Sequence, residues 1–420
     1  MTGPMSKPPT LPKLRPVDSF VATRDDGEPC LVLRDPEGVA HGPVFVPLVL
    51  APVVARFKGR HTTARIRAIL LHDEGLDVPL DVIDDAARTL DDALFLEGQA
   101  FERARRGAEA AFARAEVREA AFAGSAYPGE REELSTYVET ACIGGRHRAE
   151  ESLSPTDRIA GMVMPHIDPW RGARGYGACV DALVRALPRE PKTFVLLGTS
   201  HAPMSAPYSV CEKVFATPLG ALRPARGAIA RLRGAMRFDD TADLLGHRNE
   251  HSIELAAVFL RYALDRLGAS EGSTIVPVLC GLGAARARRE DPRSDGGTAS
   301  FLDGLRRLVA DEGAIVIAAA DLAHVGPRFG DPRALDRGAR AELEARDRAS
   351  MSLARERDAS AFFDHVVEDQ TSRRVCGAAC VYTLLDALGG ASKGKILYYD
   401  QNVDPEEGSI VSHAGLAFVE

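Results

Sequence analysis

The chain has 420 residues, of which 45% are hydrophobic and 27% are charged. This length and composition allow two domains with their own hydrophobic cores and argue against wholesale disorder. The formal net charge of -8 argues against a nucleic-acid-binding protein, which would need a basic face. No apolar run approaches the roughly 20 residues that a membrane helix needs, so no membrane association is expected.

The cysteines and the first residues indicate the cellular setting. The seven cysteines are an odd number without a CxxC pair, which is typical of reduced thiols rather than of a disulfide framework. Residues 1–16 are rich in proline where a signal peptide would be apolar. We therefore predict a cytoplasmic protein whose residues 1–16 form a flexible arm.

Residues 17–97 are predicted to form a small domain of their own. Short β-type segments occur in FVATRDDGEPCLVLRDPEGVAHGPVFVPL, and two amphipathic segments follow, HTTARIRAILLHDEGL and PLDVIDDAARTLDDALFL. Apolar residues recur at helical spacing in the second of these. The pattern predicts a small α+β, winged-helix-like domain, joined to the rest by an Ala-, Arg- and Glu-rich helical linker over residues 98–115.

This domain loosely resembles the peptide-binding winged-helix domains called RiPP recognition elements. The resemblance consists of a buried strand, the turn KGRHTTARI into a helix, a second helix and the sequence LFLEG. It implies that residues 17–97 recognise a peptide. A packing or docking domain without any ligand explains the same residues, and both interpretations stay open.

Residues 116–420 show apolar strands that alternate with long helical patterns. This alternation predicts an α/β domain with a mainly parallel or mixed central sheet, covered by helices on both faces. In such sheets, ligands bind beyond the carboxyl ends of the strands. The predicted strands are 159–164, 193–197, 273–279, 314–319, 395–399 and 415–419.

Polar side chains follow several of these apolar strands directly. His166 ends VMPHIDP, His201 ends VLLGTSH, Asp321 and His324 end VIAAADLAH, and Cys280 ends IVPVLC. Two or more neutral imidazoles at one edge of a sheet form a natural transition-metal site, although a single histidine there is more often structural. A third ligand is normally a carboxylate or a thiolate, and the candidates are Glu250, Asp321, Cys280 and Cys376.

The chain resembles the Memo family, also called AmmeMemoRadiSam system protein B. The resemblance is carried, in order, by AGSAYPGEREEL, MPHIDPWRGARGYG, LLGTSHAPMSAPYSV, FATPLGAL, NEHSIEL, IVPVLCG, AADLAHVGPRFG, RRVCGAACVYTLLDAL and YYDQNVD. It covers residues 116–420 and leaves the N-terminal domain outside. The family is similar in fold to class III extradiol dioxygenases, which hold non-haem Fe(II), so the resemblance implies that fold here.

The resemblance also implies a ligand set for a metal. It places His166, His201 and Cys376 at the metal, which we expect to be Fe(II), with copper or zinc as alternatives. Asp168, Ala202 and Val325 are departures from the usual family pattern near these motifs and affect the substrate pocket.

The residues around this triad are predicted to have further roles. His324 is predicted as a general acid/base, and Asp321 as the carboxylate that fixes its tautomer from a shared helix-start face. His251 is predicted to line the pocket. Asp168 is a candidate partner of His166, and the arginines of RRVCG, residues 373 and 374, are expected to favour the Cys376 thiolate.

Three functions are compatible with these residues. The first is a metal-dependent oxidoreductase that acts on an unknown small-molecule or peptide substrate. The family resemblance adds a three-component system with an AMMECR1-like protein and a radical SAM enzyme. The second is a dioxygenase-fold binding module that recognises a peptide or protein without catalysis. The third, a zinc hydrolase, is weaker because no HExxH motif or GxSxG elbow occurs.

Overall fold

The computed structural model describes residues 9–24, 26–145, 149–389 and 393–420. The chain divides into two compact units, Met1–Arg114 and Ala115–Glu420. Residues 1–8 of the predicted flexible arm lie outside the described residues.

The first unit combines a three-stranded antiparallel sheet with helices. Its strands are β1 (Asp18–Thr23), β2 (Pro29–Arg34) and β3 (Val44–Pro47), and they pair in the order β1-β2-β3. Its helices are α1 (Ala51–Val54), α2 (Thr63–Glu74), α3 (Leu80–Asp92) and α4 (Gln99–Arg114). The predicted order of short strands before two amphipathic helices is present, whereas the winged-helix assignment stays a prediction.

Local signals set the helix ends in this unit. Thr62 caps α2, because its side chain accepts a hydrogen bond from the Arg65 N–H, and Gly75 ends the helix in the left-handed conformation. The apolar face of α3 buries Ile83, Ala87 and Leu90. These side chains join one core with Val53, Phe57, Ile66, Leu70 and Phe95.

One prediction about a segment boundary is wrong here. Residues 11–15 are not a flexible arm, because the Leu14 N–H donates to the Phe57 carbonyl and the Arg15 N–H to the Phe95 carbonyl. The segment 98–115 is helical, as predicted, and α4 buries the side chains of Phe101 and Phe112. The guanidinium carbon of Arg15 lies 3.7 Å from the Phe101 ring centroid, so residue 15 also contacts α4.

The second unit is built on a mixed sheet. Its strand order is β12-β14-β5-β11-β6-β10-β7, and β13 pairs with β14 while β9 pairs with β10. Strands β5, β11, β6 and β10 are parallel, whereas β12, β13, β14 and β7 pair antiparallel. The strands are β4 (Val117–Arg118), β5 (Ile159–Met164), β6 (Thr193–Thr199), β7 (Tyr208–Val210), β8 (Val214–Phe215), β9 (Arg223–Pro224), β10 (Thr274–Cys280), β11 (Ile315–Ala319), β12 (Asp321–Val325), β13 (Lys393–Val403) and β14 (Ile410–Val419).

Helices cover both faces of this sheet, as the sequence predicts. Along β6, Val195 and Leu197 join one core, and Phe194 and Leu196 join the other, because successive strand residues point to opposite faces. The helices are α5 (Arg131–Tyr137), α6 (Pro169–Ala186), α7 (Arg226–Ala235), α8 (His251–Leu267), α9 (Gly283–Arg288), α10 (Gly296–Glu312), α11 (Arg337–Arg355), α12 (Ala359–Glu368), α13 (Gln370–Arg373) and α14 (Ala378–Leu388).

The predicted α/β class is confirmed, with mixed rather than mainly parallel pairing. Each of the six predicted strands overlaps an observed strand, namely β5, β6, β10, β11, β13 or β14. In the part of the chain that the structure describes, no helix combines the length and the hydropathy needed to span a membrane.

Residues 284–300, whose composition predicts a flexible surface loop, are instead ordered. They contribute to α9 and α10 and to a short 3-10 helix. The Arg293 guanidinium forms ion pairs with Asp386 and Asp303, at 2.6 and 3.0 Å, and Tyr382 donates a hydrogen bond to Asp291. The polar residues that suggested a loop therefore anchor the segment to α14.

Candidate metal centre

The strand topology brings the predicted ligands to one edge of the sheet. His166 follows β5, His201 follows β6, and β11 lies between these two strands. Cys376 lies just before α14, which begins at Ala378. Since β5, β11 and β6 are parallel, their carboxyl ends meet at the same edge.

The ring of His166 is oriented by a backbone carbonyl. Its Nδ1 lies 3.0 Å from the Ala319 carbonyl oxygen, at the end of the neighbouring strand β11. The backbone N–H of His166 donates to Asp321 Oδ1 at 3.0 Å. A hydrogen bond from Nδ1–H to the carbonyl leaves the lone pair on Nε2, which lies 3.4 Å from the Cys376 sulfur.

A carboxylate orients the ring of His201 in the same way. The Nδ1 of His201 lies 3.0 Å from Glu250 Oε1, and its backbone N–H donates to Glu250 Oε2 at 3.0 Å. Glu250 also caps α8 by accepting the Ser252 N–H at 2.9 Å. The Glu250 side chain is 5% exposed and that of His201 is 31% exposed, so His201 faces the open side of the cluster.

A close backbone approach places the third ligand. A Cβ on Gly377 would lie 2.4 Å from the Ala320 Cβ and 2.6 Å from the Asp321 carbonyl oxygen. Glycine at this position therefore lets the start of α14 approach the junction between β11 and β12. This approach brings the neighbouring Cys376 sulfur to the His166 ring.

The electrostatics of the cluster favour a thiolate. Burial opposes ionisation of Cys376, but the charges of His166 and His324 outweigh it and hold the thiol pKa well below its usual range. Burial also opposes protonation of His166, yet Asp321 and Cys376 raise the pKa of this ring to about 9. For Glu250, His201 and His251 overcome burial and lower the carboxyl pKa.

Among the described residues, two groups of side chains have donor atoms close enough for one ion. The ligand atoms of His166, His201 and Cys376 lie within 4.8 Å of one another, and so do those of His201, Glu250 and His251. The second group is already held by hydrogen bonds, because Glu250 bonds the Nδ1 of His201. In the first group, hydrogen bonds engage both Nδ1 atoms, and Nε2 of His166 faces the Cys376 sulfur at 3.4 Å.

The first group therefore fits a transition metal. Two imidazole nitrogens and one thiolate suit Fe(II), Cu or Zn, and partners at both Nδ1 atoms match the usual support of metal-bound histidines. The set of three donors also leaves coordination positions for a further ligand.

The predicted catalytic residues lie around this group. The His251 ring stacks on His201 with centroids 4.5 Å apart, and it meets the His166 ring edge-on at 5.4 Å. Burial and the charge of His201 lower the pKa of His251 to about 3. His324 is half-buried, and its Nδ1 lies 3.3 Å from the Leu322 carbonyl oxygen.

The predicted pairing of Asp321 with His324 is wrong. Both residues lie on β12 and not at a helix start, and Asp321 bonds the backbone of His166. The Leu322 carbonyl, rather than a carboxylate, therefore orients the His324 ring. The motif spacing gave no signal of the β-bulge that separates Asp321 from His324.

Other assigned partners also differ. Asp168 caps α6 by accepting the Trp170 N–H at 2.8 Å, so it is not the partner of His166. Arg373 pairs with Asp347 and Asp369, and Arg374 pairs with Asp331. The charges that favour the Cys376 thiolate come mainly from His166 and His324.

Glu254 has a structural role close to the candidate metal centre. Its fully buried carboxylate pairs with Arg118 and accepts a hydrogen bond from the Tyr127 hydroxyl. It also accepts the backbone N–H groups of Ala121 and Phe122 at 3.0 and 2.9 Å. These contacts fix residues 118–127 beside α8, where Phe122 meets the His251 ring at 5.7 Å.

Taken together, a mixed α/β sheet with two imidazoles and a thiolate at one edge defines a candidate metalloprotein. Residues 118–417 match the family model described as "Memo-like protein". The chain therefore belongs to the Memo family, as the sequence motifs predict.

Relatives with this family name align over most of their length. A MEMO1 family protein of Aquifex aeolicus is 26% identical over 390 residues, covering 92% of this chain and 95% of the relative. One from Thermus thermophilus is 27% identical, covering 80% of this chain and 92% of the relative. One from Thermococcus kodakarensis is 28% identical, covering 72% of this chain and 99% of the relative. The Aquifex alignment is longer than the segment 115–420, so it also includes part of the N-terminal unit.

Proposed function

We propose that this Memo family protein is a metal-dependent oxidoreductase with a site for Fe(II) formed by His166, His201 and Cys376. The observation that carries the proposal is the convergence of the three ligand side chains on one point. Hydrogen bonds engage Nδ1 of His166 and of His201, and the ligand atoms of both rings lie within 4.8 Å of the Cys376 sulfur. Bound Fe(II) would supply redox chemistry toward a substrate at its open positions.

The surrounding residues have separate tasks in this proposal. Glu250 and the Ala319 carbonyl engage Nδ1 of the two imidazoles, so that a bound metal would take the place of the proton on each Nε2. With its Nδ1 facing the Leu322 carbonyl, His324 has Nε2 available to take up or release a proton of the substrate. His251 packs against both metal-site rings and limits their rotation.

The substrate and partners belong to the same proposal. The family resemblance favours a small molecule or a peptide as the substrate, handled together with an AMMECR1-like protein and a radical SAM enzyme. A binding module with the same fold would use the pocket without turnover. The two functions differ in whether the metal changes oxidation state during the reaction.

The test is elemental analysis of protein purified without oxygen. We expect near-stoichiometric iron in the wild type and its loss in His166→Ala, His201→Ala and Cys376→Ala. Cys280→Ala is the matched control, because Cys280 is a buried thiol at the end of β10 outside the cluster. Full iron content in all three ligand variants would contradict the assigned triad. A wild type without metal after anaerobic loading would favour the binding module.

A further inference from the structure

A cavity lies at the carboxyl edge of the sheet, beyond strands β6 and β10. Ser200 directly follows β6, Gly281 directly follows β10, and both residues line the cavity. These strands are parallel neighbours, and α/β sheets bind ligands beyond the carboxyl ends of such strands. The volume of about 530 Å³ is within the usual range for small-molecule sites. Because His166, His201 and Cys376 do not line it, the cavity is separate from the candidate metal centre.

The walls of this cavity are held in place by the protein itself. In one wall, the Asp243 carboxylate accepts the backbone N–H groups of Ser205 and Ala206, at 2.8 and 2.7 Å. Residues of α9 form another wall, and the residues at its two ends, Leu282 and Arg289, have left-handed φ values of 44 and 56°. Such strain in bulky residues persists only where the surrounding structure fixes it, and it concentrates at ligand-binding sites. The cavity is therefore a preformed space.

A cation and a carboxylate line the same cavity. Arg288 is bonded to Glu290 only through Nε, at 2.6 Å, and among the described residues neither of its terminal nitrogens has a hydrogen-bond partner. Asp295 caps α10 by accepting the Thr298 N–H at 2.7 Å, which leaves further acceptor sites on its carboxylate. Hydrogen bonds from Thr298 lower the pKa of Asp295, and the charge of Arg288 adds to this effect, so the two charged groups act on each other.

Much of the remaining lining is apolar. The side chains that provide it are those of Pro203, Met204, Pro207, Leu282, Ala284 and Ala285. A ligand that carried only charges would leave this apolar surface in contact with water, whereas an apolar group on the ligand would cover it. The lining thus combines charges of both signs with apolar surface.

We propose that this cavity binds a small zwitterion that carries an ammonium, a carboxylate and an apolar group, the chemistry of an apolar α-amino acid. The terminal nitrogens of Arg288 form a planar fork that suits a carboxylate, and the Asp295 carboxylate accepts hydrogen bonds from an ammonium. The apolar group of the ligand packs on the apolar part of the lining. The inference does not rest on the proposed function, because no predicted metal ligand lines the cavity.

The test compares L-phenylalanine with two analogues that each lack one of its charges, 3-phenylpropanoate and 2-phenylethylamine. Dissociation constants are measured by isothermal titration calorimetry on the full chain. We expect L-phenylalanine to bind about tenfold more tightly than either analogue, the usual scale of a charge-assisted hydrogen bond. Arg288→Gln should weaken binding of L-phenylalanine and 3-phenylpropanoate but not of 2-phenylethylamine. Asp295→Asn should weaken L-phenylalanine and 2-phenylethylamine instead, and asparagine keeps the helix cap.

Glu290→Gln is the matched control, because it removes the ion-pair partner of Arg288 without changing a residue that lines the cavity. This variant should bind L-phenylalanine at least as tightly as the wild type. Absence of L-phenylalanine binding, or equal binding of the three compounds, would overturn the inference. Equal weakening in Glu290→Gln and Arg288→Gln, or wild-type binding in Arg288→Gln and Asp295→Asn, would overturn it as well. None of these outcomes depends on iron content, so the proposed function is tested separately.

Discussion

Replacement of Glu250 by glutamine tests how the candidate metal centre is supported. Glu250 accepts hydrogen bonds from Nδ1 and the backbone N–H of His201 and from the N–H of Ser252. Glutamine is nearly isosteric, but it has one acceptor oxygen and no charge. The His201 ring then loses the carboxylate that fixes its tautomer.

The expected size of the effect follows from that loss. Removing the support of a metal-bound histidine weakens metal affinity by roughly 10- to 100-fold, or about 1.4 to 2.7 kcal/mol. The affinity is measured by competition with a chromophoric chelator in Glu250→Gln and the wild type. If Glu250 were itself a ligand, through the group with His201 and His251, the loss should equal that of His201→Ala.

Asp168→Ala is the control for loss of a helix cap near the site. Asp168 caps α6 through the Trp170 N–H, but it has no hydrogen bond to a predicted ligand side chain among the described residues. This variant should lose about 1 kcal/mol of stability while its metal affinity stays unchanged. The reasoning is refuted if Glu250→Gln binds metal like the wild type, or if Asp168→Ala weakens binding equally.

Two further predictions concern stability and packing. Burial lowers the pKa of His247 to about 3, so the folded protein keeps this ring neutral while the unfolded chain takes up a proton below about pH 6.5. The free energy of unfolding should therefore fall as the pH drops from 6.5, and this ring should contribute up to ~1.4 kcal/mol per pH unit to the fall. Urea unfolding at pH 7.5 and pH 5.5 should show a smaller fall for His247→Gln than for the wild type. In Gly377→Ala, the added Cβ meets Ala320 and the Asp321 carbonyl, so we expect a loss of about 1 to 3 kcal/mol in urea unfolding and weaker metal binding. Gly234→Ala, on α7 with open space around its added Cβ, should lose neither stability nor metal affinity. Equal behaviour of the two variants would contradict the packing explanation.

The sequence predicts the strands and helices of the second unit better than it predicts which strands pair with each other. Apolar runs that end in His166 and His201 identify both the strands and the polar edge, because burial and side-chain type are local properties. The order of strands in the sheet depends on partners far apart in the chain. The pairing of β14 with β5 joins Leu416 to Val163, and no local pattern indicates it.

The contacts around the candidate site could not be predicted for the same reason. The Ala319 carbonyl that orients His166 is a backbone atom, so no residue type reveals it. The sequence offers Glu250 as a candidate ligand, and the structure shows that it caps α8 while orienting His201.

The position of β14 has a consequence for how the protein is assembled. Strand β14 lies inside the sheet, between β12 and β5, although it comes from residues 410–419. During synthesis, β5 and the segment with His166 emerge long before their neighbouring strand exists. Pairings over such sequence distances slow folding, so the edge of β5 stays unpaired until the last strand is inserted. Completion of the sheet is therefore a late event in biosynthesis, and a nascent chain halted before residue 410 would display an open apolar edge to chaperones.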